Sequence, residues 1–97
     1  MRVAKHILVS GCVQGVYFRV NTCNEARSLK LGGGVRNLRD GRVEVEVYGE
    51  EEAVDRLIKW LKIGPKQAKV TIIEVTDSCF FTDYPVKDIP FQIWATN

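Results

Sequence analysis

Hydrophobic and polar positions alternate in patterns that divide the chain into seven regular segments. Period-two alternation and β-branched runs predict strands, while apolar residues three and four apart predict helices that bury one face. The predicted strands are Lys5–Ser10, Val35–Leu38, Arg42–Tyr48, Val70–Thr76 and a short Phe91–Trp94. The predicted helices are Phe18–Lys30 and Glu50–Lys62. This order predicts an α+β fold of the ferredoxin-like split βαβ type (βαββαβ), with two helices on one face of an antiparallel sheet and a short C-terminal strand.

Glycine and proline residues mark the expected ends of these segments. The three glycines at 32–34 are expected to stop the first helix, because glycine is common just beyond helix ends. Arg39–Asp40–Gly41 predicts a hairpin turn, and Gly64–Pro65 should end the second helix. Asp77–Pro90 is the longest stretch predicted to be irregular, and Phe80–Phe81 within it is expected to cap the edge of the core.

The clearest strand shows which side of the sheet should be buried. Val43, Val45 and Val47 point one way, so Glu44 and Glu46 between them should point to water. This alternation is typical of an antiparallel sheet with one solvated face.

Composition narrows the class of protein. The 97 residues are predicted to form a single domain, residues 1–97. Hydrophobic residues are 45% and charged residues 27%, which excludes a disordered chain, and the net charge of +2 is too small to indicate nucleic acid or a membrane surface. Apolar runs are too short for a membrane span, and we expect no signal peptide. Three cysteines without a C-x-x-C spacing favour a reducing cytoplasm over disulfides or zinc.

The segment from Gly11 to Arg19 is the strongest candidate for a binding site. It joins a strand to a helix, where the first turn leaves backbone N–H groups unpaired and the helix dipole favours an anion. Gly15 allows the chain to curl so that successive N–H groups point inward, and the guanidinium of Arg19 can bind two phosphate oxygens at once. These residues alone leave two interpretations open, a phosphate site or a turn glycine beside a solvated arginine. No G-K-[ST] sequence follows, so nucleoside triphosphate chemistry is not expected.

A longer motif resembles the acylphosphatase family. It runs Gly11–x–Val13–Gln14–Gly15–Val16–x–Phe18–Arg19, followed by Val35–Arg36–Asn37 and Asp40–Gly41–x–Val43–Glu44. The resemblance implies a ferredoxin-like fold and hydrolysis of acyl phosphates to a carboxylate and phosphate. It also implies that the substrate's own phosphate accepts the proton. The candidate site lacks a clustered set of carboxylates or histidines, so we expect no metal or cofactor to be needed.

The resemblance assigns roles residue by residue. Arg19 would be the catalytic arginine that binds phosphate, and Asn37 would position the attacking water. The backbone that cradles the phosphate would belong to Gln14, Gly15, Val16, Tyr17 and Phe18.

This chain departs from the family pattern at three positions. Gly34 stands where an aromatic residue is usual, Leu38 where a polar residue is common, and Trp94 where a basic residue is usual. We therefore expect the second strand to be less packed, so that an aromatic residue at position 34 would raise stability or activity.

No residue is an evident general base. His6 is five strand residues from Gly11, roughly 16 Å, and Asp40 is ~10 Å from Asn37. Glu25 lies roughly 9 Å along the helix from Arg19. Cys12 lacks a histidine partner for nucleophilic attack, and Trp60 is expected to pack beside the second helix's apolar face.

Two other function classes remain as alternatives. A module with the same cradle could bind phosphate without turnover, although binding alone does not need Asn37. A ferredoxin-like nucleic-acid module would place aromatic residues on its central strands, where this chain has Glu44 and Glu46. The expected partners are a small-molecule acyl phosphate and inorganic phosphate, as product and competitive inhibitor. No nucleic acid or membrane is expected, and the chain should be a monomer.

Overall fold

A computed structural model describes residues 1–78 and 90–97 of the chain. Two helices, α1 (Phe18–Ser28) and α2 (Glu51–Ile63), accompany five strands: β1 (Arg2–Cys12), β2 (Gly32–Asn37), β3 (Val43–Glu50), β4 (Lys69–Asp77) and β5 (Gln92–Ile93). The prediction for Phe80–Phe81 lies outside the described residues, as does most of the predicted irregular stretch. No helix in the described ranges has the length and apolar character needed to cross a membrane.

The five strands form one sheet in the order β4-β1-β3-β2-β5. The first four pair antiparallel, and the short β5 runs parallel to β2. α1 packs over β2 and β5, and α2 packs mainly over β4, β3 and β1. The predicted ferredoxin-like order is therefore confirmed, with a parallel fifth strand that makes the sheet mixed.

Alternate residues of β1 and β3 meet the apolar faces of both helices in a single core. The inward side chains of the three β3 valines are fully buried, as predicted from their spacing. The fully buried residues of this core include Ile7, Val9, Val43, Val45, Val47, Val54, Leu57 and Leu61. One shared core means that the two helices cover the same face of the sheet, so the loop that leads into α1 is held above the ends of the central strands.

The end of α1 differs from the prediction. The helix ends at Ser28 instead of Lys30, because the amide of Leu31 donates to the carbonyl of Ala26 at 2.9 Å and Lys30 donates to Arg27 at 3.0 Å. Lys30 has a φ of 59°, the left-handed conformation usual in such helix-terminating turns. The helix is thus closed by local hydrogen bonds before the glycine run begins.

The three glycines at 32–34 do not form a stop after α1; they form the first half of β2. All three are buried. A Cβ on Gly33 would lie 1.9 Å from the carbonyl oxygen of Glu46 on the neighbouring strand. The glycines therefore permit the close approach of β2 and β3, a tertiary requirement that the propensity of glycine in isolation does not reveal.

The expectation that Gly34 leaves the second strand less packed is wrong. The indole of Trp94 lies against Gly34, and a Cβ at that position would lie 2.1 Å from Trp94 Cε2. The amide of Trp94 also donates to the carbonyl of Val35 at 2.8 Å. The aromatic ring that covers this part of β2 thus comes from beyond β5, and the space at position 34 is already filled.

Two strands run past their predicted ends at Ser10 and Tyr48 and include the glycine that follows. Gly11 belongs to β1, where the pairing with β4 is irregular between Ser10 and Gly11, and Gly49 belongs to β3 opposite Val3. Gly64 follows α2, as predicted. Pairing with one neighbouring strand, β4 at Gly11 and β1 at Gly49, extends these strands past residues that break isolated strands.

Candidate active site

The loop between β1 and α1 presents a row of free backbone donors. Within the described part of the chain, no backbone N–H group of residues 14–19 makes a hydrogen bond. Gly15 has a φ of 74°, and Tyr17, which precedes the first turn of α1, has a φ of 60°. Left-handed residues within a turn point neighbouring N–H groups into one concavity, where an anion binds.

Arg19 places a permanent cation at the same concavity. It lies in the first turn of α1, is half-buried, and makes no ion pair or hydrogen bond with the described residues. Its guanidinium keeps its donors for a ligand, because no carboxylate among those residues competes for them. We call Arg19 and the backbone of residues 14–18 the phosphate cradle.

Asn37, the last residue of β2, faces the phosphate cradle. Arg19 and Asn37 line a single cavity of about 260 Å³ together with Gly15, Tyr17 and Phe18. The Oδ1 atom of Asn37 is buried and accepts no hydrogen bond from the described residues. A buried acceptor without a partner is rare in native structures, and at a cavity wall it marks a place for a bound water or ligand donor.

The other two residues assigned to the cradle have side chains directed elsewhere. The side-chain Nε2 of Gln14 donates to the backbone carbonyls of Leu38 at 2.7 Å and Arg42 at 3.0 Å. These bonds tie the loop to the turn between β2 and β3. Val16 lines a neighbouring groove instead of the cavity. Gln14 thus holds the loop next to the strand that carries Asn37, a function of its side chain that the sequence did not indicate.

The C-terminal residues hold the backbone of Asn37 by hydrogen bonds. The amide of Asn97 donates to the carbonyl of Asn37 at 3.2 Å, and the amide of Arg39 donates to the carbonyl of Asn97 at 3.1 Å. These bonds extend the parallel pairing of β5 with β2 to the end of the chain. The backbone of Asn37 is consequently held on both sides, by Val43 of β3 and by the terminal segment.

Comparisons with known proteins agree with this geometry. Residues 5–86 match the family model described as Acylphosphatase. The chain is 50% identical over 76 residues to an acylphosphatase of Alkalilimnicola ehrlichii, covering 78% of this chain and 85% of the relative. It is 54% identical over 74 residues to one of Pseudomonas paraeruginosa, covering 76% and 81%. The chain belongs to the acylphosphatase family.

The fold of a solved acylphosphatase agrees as well. The crystal structure from Bacillus subtilis superimposes with a TM-score of 0.85 at 38% identity, covering 97% of this chain and 99% of that chain. Acylphosphatases are hydrolases, so this chain is an enzyme of that class.

The three residues of this acylphosphatase that could act as a general base, His6, Glu25 and Asp40, do not line the cavity. His6 lies on the open face of the sheet, and Glu25 lines the neighbouring groove. Asp40 in the hairpin accepts a hydrogen bond from Arg42 Nε at 2.8 Å, and this contact lowers the pKa of the Asp40 carboxyl. Among the described residues, no three His, Cys, Asp or Glu side chains cluster as a metal site would require.

The open face of the sheet carries a second polar cluster, which corrects a prediction. Glu44 and Glu46 do not extend into water; their side chains are only 15% and 13% exposed. Arg36 Nε donates to Glu44 at 2.6 Å, His6 Nε2 lies 2.9 Å from Glu44, and Ser78 donates to Glu46 at 2.6 Å. Cross-strand neighbours close over these carboxylates. We call these five residues the sheet-face network.

The two carboxyls of the sheet-face network are shifted in opposite directions. Burial raises the pKa of Glu46, and the hydrogen bond from Ser78 opposes this only in part. Burial also acts on Glu44, but hydrogen bonds from His6 and Arg36 outweigh it and lower its pKa. The network is therefore an internally satisfied structural cluster, distinct from the cradle.

Proposed function

We propose that this acylphosphatase hydrolyses acyl phosphates to a carboxylate and inorganic phosphate without a metal or cofactor. One observation carries the proposal: Arg19, the loop backbone and the unpartnered Oδ1 of Asn37 meet at one cavity, and no acidic side chain of the described residues lines it. The cavity therefore offers donors and positive charge for a phosphoryl group together with an acceptor for water.

The phosphate cradle holds the transferred group in this mechanism. The planar guanidinium of Arg19 donates to two phosphoryl oxygens, and the free N–H groups of residues 14–18 donate to the others. Because phosphoryl transfer depends mainly on positioning and on stabilising charge, these fixed donors supply most of what the reaction requires.

Asn37 orients the attacking water. Its free Oδ1 accepts a hydrogen bond from the water, whose oxygen then faces phosphorus. A new O–P bond forms, the bond from phosphorus to the acyl oxygen breaks, and the acyl group leaves as a carboxylate with the bonding electron pair. Both water protons end on the released phosphate, in keeping with the family resemblance and with the lack of a base at the cavity. A carboxylate is a good leaving group, so no strong general acid is needed.

A module that only binds phosphate is the alternative. The cradle alone would serve such a module, whereas the buried acceptor of Asn37 has no use in binding an anion. A nucleic-acid function has less support, since the open sheet face centres on Glu44 and Glu46, whose charge would repel a phosphate backbone.

We also propose that residues 1–97 act as one domain and as a monomer in the cytoplasm. The substrate would be a small-molecule acyl phosphate. Inorganic phosphate would be both product and competitive inhibitor, and neither nucleic acid nor a membrane would be a partner. Light scattering of the purified protein tests the monomer directly.

Hydrolysis of acetyl phosphate in excess chelator tests the reaction. We expect turnover to persist in chelator and inorganic phosphate to inhibit competitively. A Cys12→Ala variant should keep activity within a fewfold of wild type, because Cys12 is exposed and does not line the cavity. Activity that vanishes in chelator and returns with magnesium would contradict the metal-free mechanism. Phosphate binding without turnover would instead favour the binding module.

A further inference from the structure

A larger groove lies beside the phosphate cavity. It has a volume of about 550 Å³ and runs between α1, the end of α2 and residues 64–67. Tyr17 lines both the groove and the cavity, so the two spaces are adjacent at this residue. We propose that the groove is the acyl subsite and that it favours acyl phosphates with a neutral, flat, apolar acyl group. This inference rests on the proposed hydrolysis of acyl phosphates.

The sizes of the two spaces fit this division. Sites for small molecules usually enclose ~300–1,000 Å³. The phosphate cavity, at about 260 Å³, falls below that range, whereas the groove, at about 550 Å³, falls within it. An acyl group larger than acetyl therefore has room in the groove and little room beside the phosphate.

The direction of the reaction also leads to the groove. In an in-line displacement the leaving oxygen departs opposite the attacking water. Asn37, which orients the water in the proposed reaction, lies on β2. The flank of α1 on that side contacts β2 and β5, and Arg27 donates to the carbonyl of Phe91, just before β5, at 2.8 Å. The groove lies on the other flank of α1, lined by Asn21 and Asn24 and facing α2. We therefore expect the acyl group to leave toward the groove.

Two aromatic residues of the groove wall, Tyr17 and Trp60, are held in place. The ring of Trp60 packs at a tilt against Phe18, with centroids 5.9 Å apart. Tyr17 is 72% exposed, yet its backbone is fixed in a left-handed conformation, and Asn21 Nδ2 donates to its carbonyl at 2.9 Å. An exposed ring on a strained and supported backbone is typical of a binding site. Together with Pro65, these rings form surfaces suited to a flat apolar group.

Charge in the groove favours a neutral acyl group. Apart from Tyr17, the ionisable residues among those that line it are Glu25 and Lys66, one acidic and one basic. Their opposite charges leave no net attraction for an acyl group that carries a second carboxylate or an amine. The selection is therefore by shape and apolar contact, which discriminates between small groups by about 10- to 200-fold.

A variant that fills the groove tests this subsite. Gln67 is exposed and lines the groove, so Gln67→Trp should block it without disturbing the core. We expect kcat/KM for benzoyl phosphate to fall at least tenfold, while kcat/KM for acetyl phosphate stays within twofold of wild type. The matched control is Lys59→Trp, an exposed position on α2 outside the groove, which should leave both substrates within twofold.

A binding measurement separates failure of the subsite from failure of the reaction. Benzoylphosphonate, which is not hydrolysed at phosphorus, should shift the indole N–H signal of Trp60 in an NMR titration at least twice as far as inorganic phosphate does. The subsite is refuted if benzoylphosphonate displaces phosphate but leaves the Trp60 signal unmoved. It is also refuted if Gln67→Trp lowers kcat/KM equally for both substrates or for neither. Wild type that hydrolyses neither substrate, yet shows the Trp60 shift, would contradict the proposed reaction and retain the groove as a ligand site.

Discussion

The phosphate cradle and the sheet-face network are both polar clusters, but their bonding differs. In the network, Arg36 donates to one oxygen of Glu44 at 2.6 Å, His6 Nε2 lies 2.9 Å from the other, and Ser78 donates to Glu46 at 2.6 Å. In the cradle, the Arg19 guanidinium and the backbone N–H groups of residues 14–19 make no hydrogen bond to the described residues. One cluster has used its hydrogen-bonding capacity on itself, and the other has kept it.

This difference indicates where chemistry is possible. A paired arginine stabilises the fold, whereas an unpaired one that lines a cavity with free amides can bind an incoming anion. The network carries more charged side chains than the cradle. Unused donors and acceptors, more than the density of charge, therefore mark the candidate active site of this acylphosphatase.

Replacing Asn37 should produce the largest effect. Asn37→Ala removes the acceptor that we propose orients water, and it leaves Arg19 and the loop amides in place. Since orientation of a reactant is worth on the order of several kcal/mol, we expect kcat to fall more than a hundredfold. The affinity for inorganic phosphate, measured by calorimetry, should change little. Parallel loss of turnover and phosphate binding would mean that Asn37 binds phosphate instead of positioning water.

The two arginines offer the most direct test of the comparison. Arg19→Lys keeps the charge but loses the planar pair of donors, so we expect activity to fall at least tenfold with the fold intact. Arg36→Lys is the matched control: it should lower stability modestly and leave kcat/KM within twofold. Circular dichroism and acetyl phosphate kinetics measure both. Near wild-type turnover in Arg19→Lys would show that bidentate contact to phosphate does not matter.

The strand behind Asn37 should resist a larger residue at position 34. Gly34→Phe would force the ring into the space that Trp94 fills, and overpacking of this kind costs about 1–3 kcal/mol in the free energy of unfolding. A double variant, Gly34→Phe with Trp94→Ala, should recover part of that loss because it removes the clash. Denaturant unfolding of the three proteins tests this. A single Gly34→Phe variant more stable than wild type would restore the expectation from the family pattern.

The two carboxyls of the sheet-face network should respond oppositely to pH. The pKa of Glu44 is lowered by His6 and Arg36 against the effect of burial, so its contribution to stability is present above its ordinary pKa of 4.5 and is lost as pH falls through the lower folded value. Glu44→Gln should therefore lower the free energy of unfolding by about 1–3 kcal/mol at pH 7, and by less in acid.

Glu46 provides the opposite case and the control. Burial raises its pKa, so ionisation weakens the fold as pH rises from 4.5 through the higher folded value. Glu46→Gln should be at least as stable as wild type at pH 7 and lose this advantage in acid. Unfolding curves across pH for both variants test the pair, and kcat/KM should stay within twofold throughout. Identical pH profiles for the two variants would contradict the assigned interactions.

The sequence by itself determined the fold class and the position of the cradle. Both depend on local features: the β3 valines alternate with period two, and a glycine loop leads directly into a helix whose first turn holds Arg19. Such short-range patterns are written in consecutive residues, so they can be interpreted without knowing what packs against them.

Only the tertiary structure decided what surrounds these features. Residues 32–34 form part of a strand because β3 lies very close to Gly33. Trp94, sixty positions later in the sequence, covers Gly34. The side chains of Glu44 and Glu46 are largely buried because their hydrogen-bond partners lie on neighbouring strands and at Ser78. The groove beside the cradle exists because the end of α2 comes to rest near α1. Each depends on residues brought together from distant parts of the chain, and the physical reason is common to all: burial, close approach and pairing are properties of contacts, which a linear pattern does not contain.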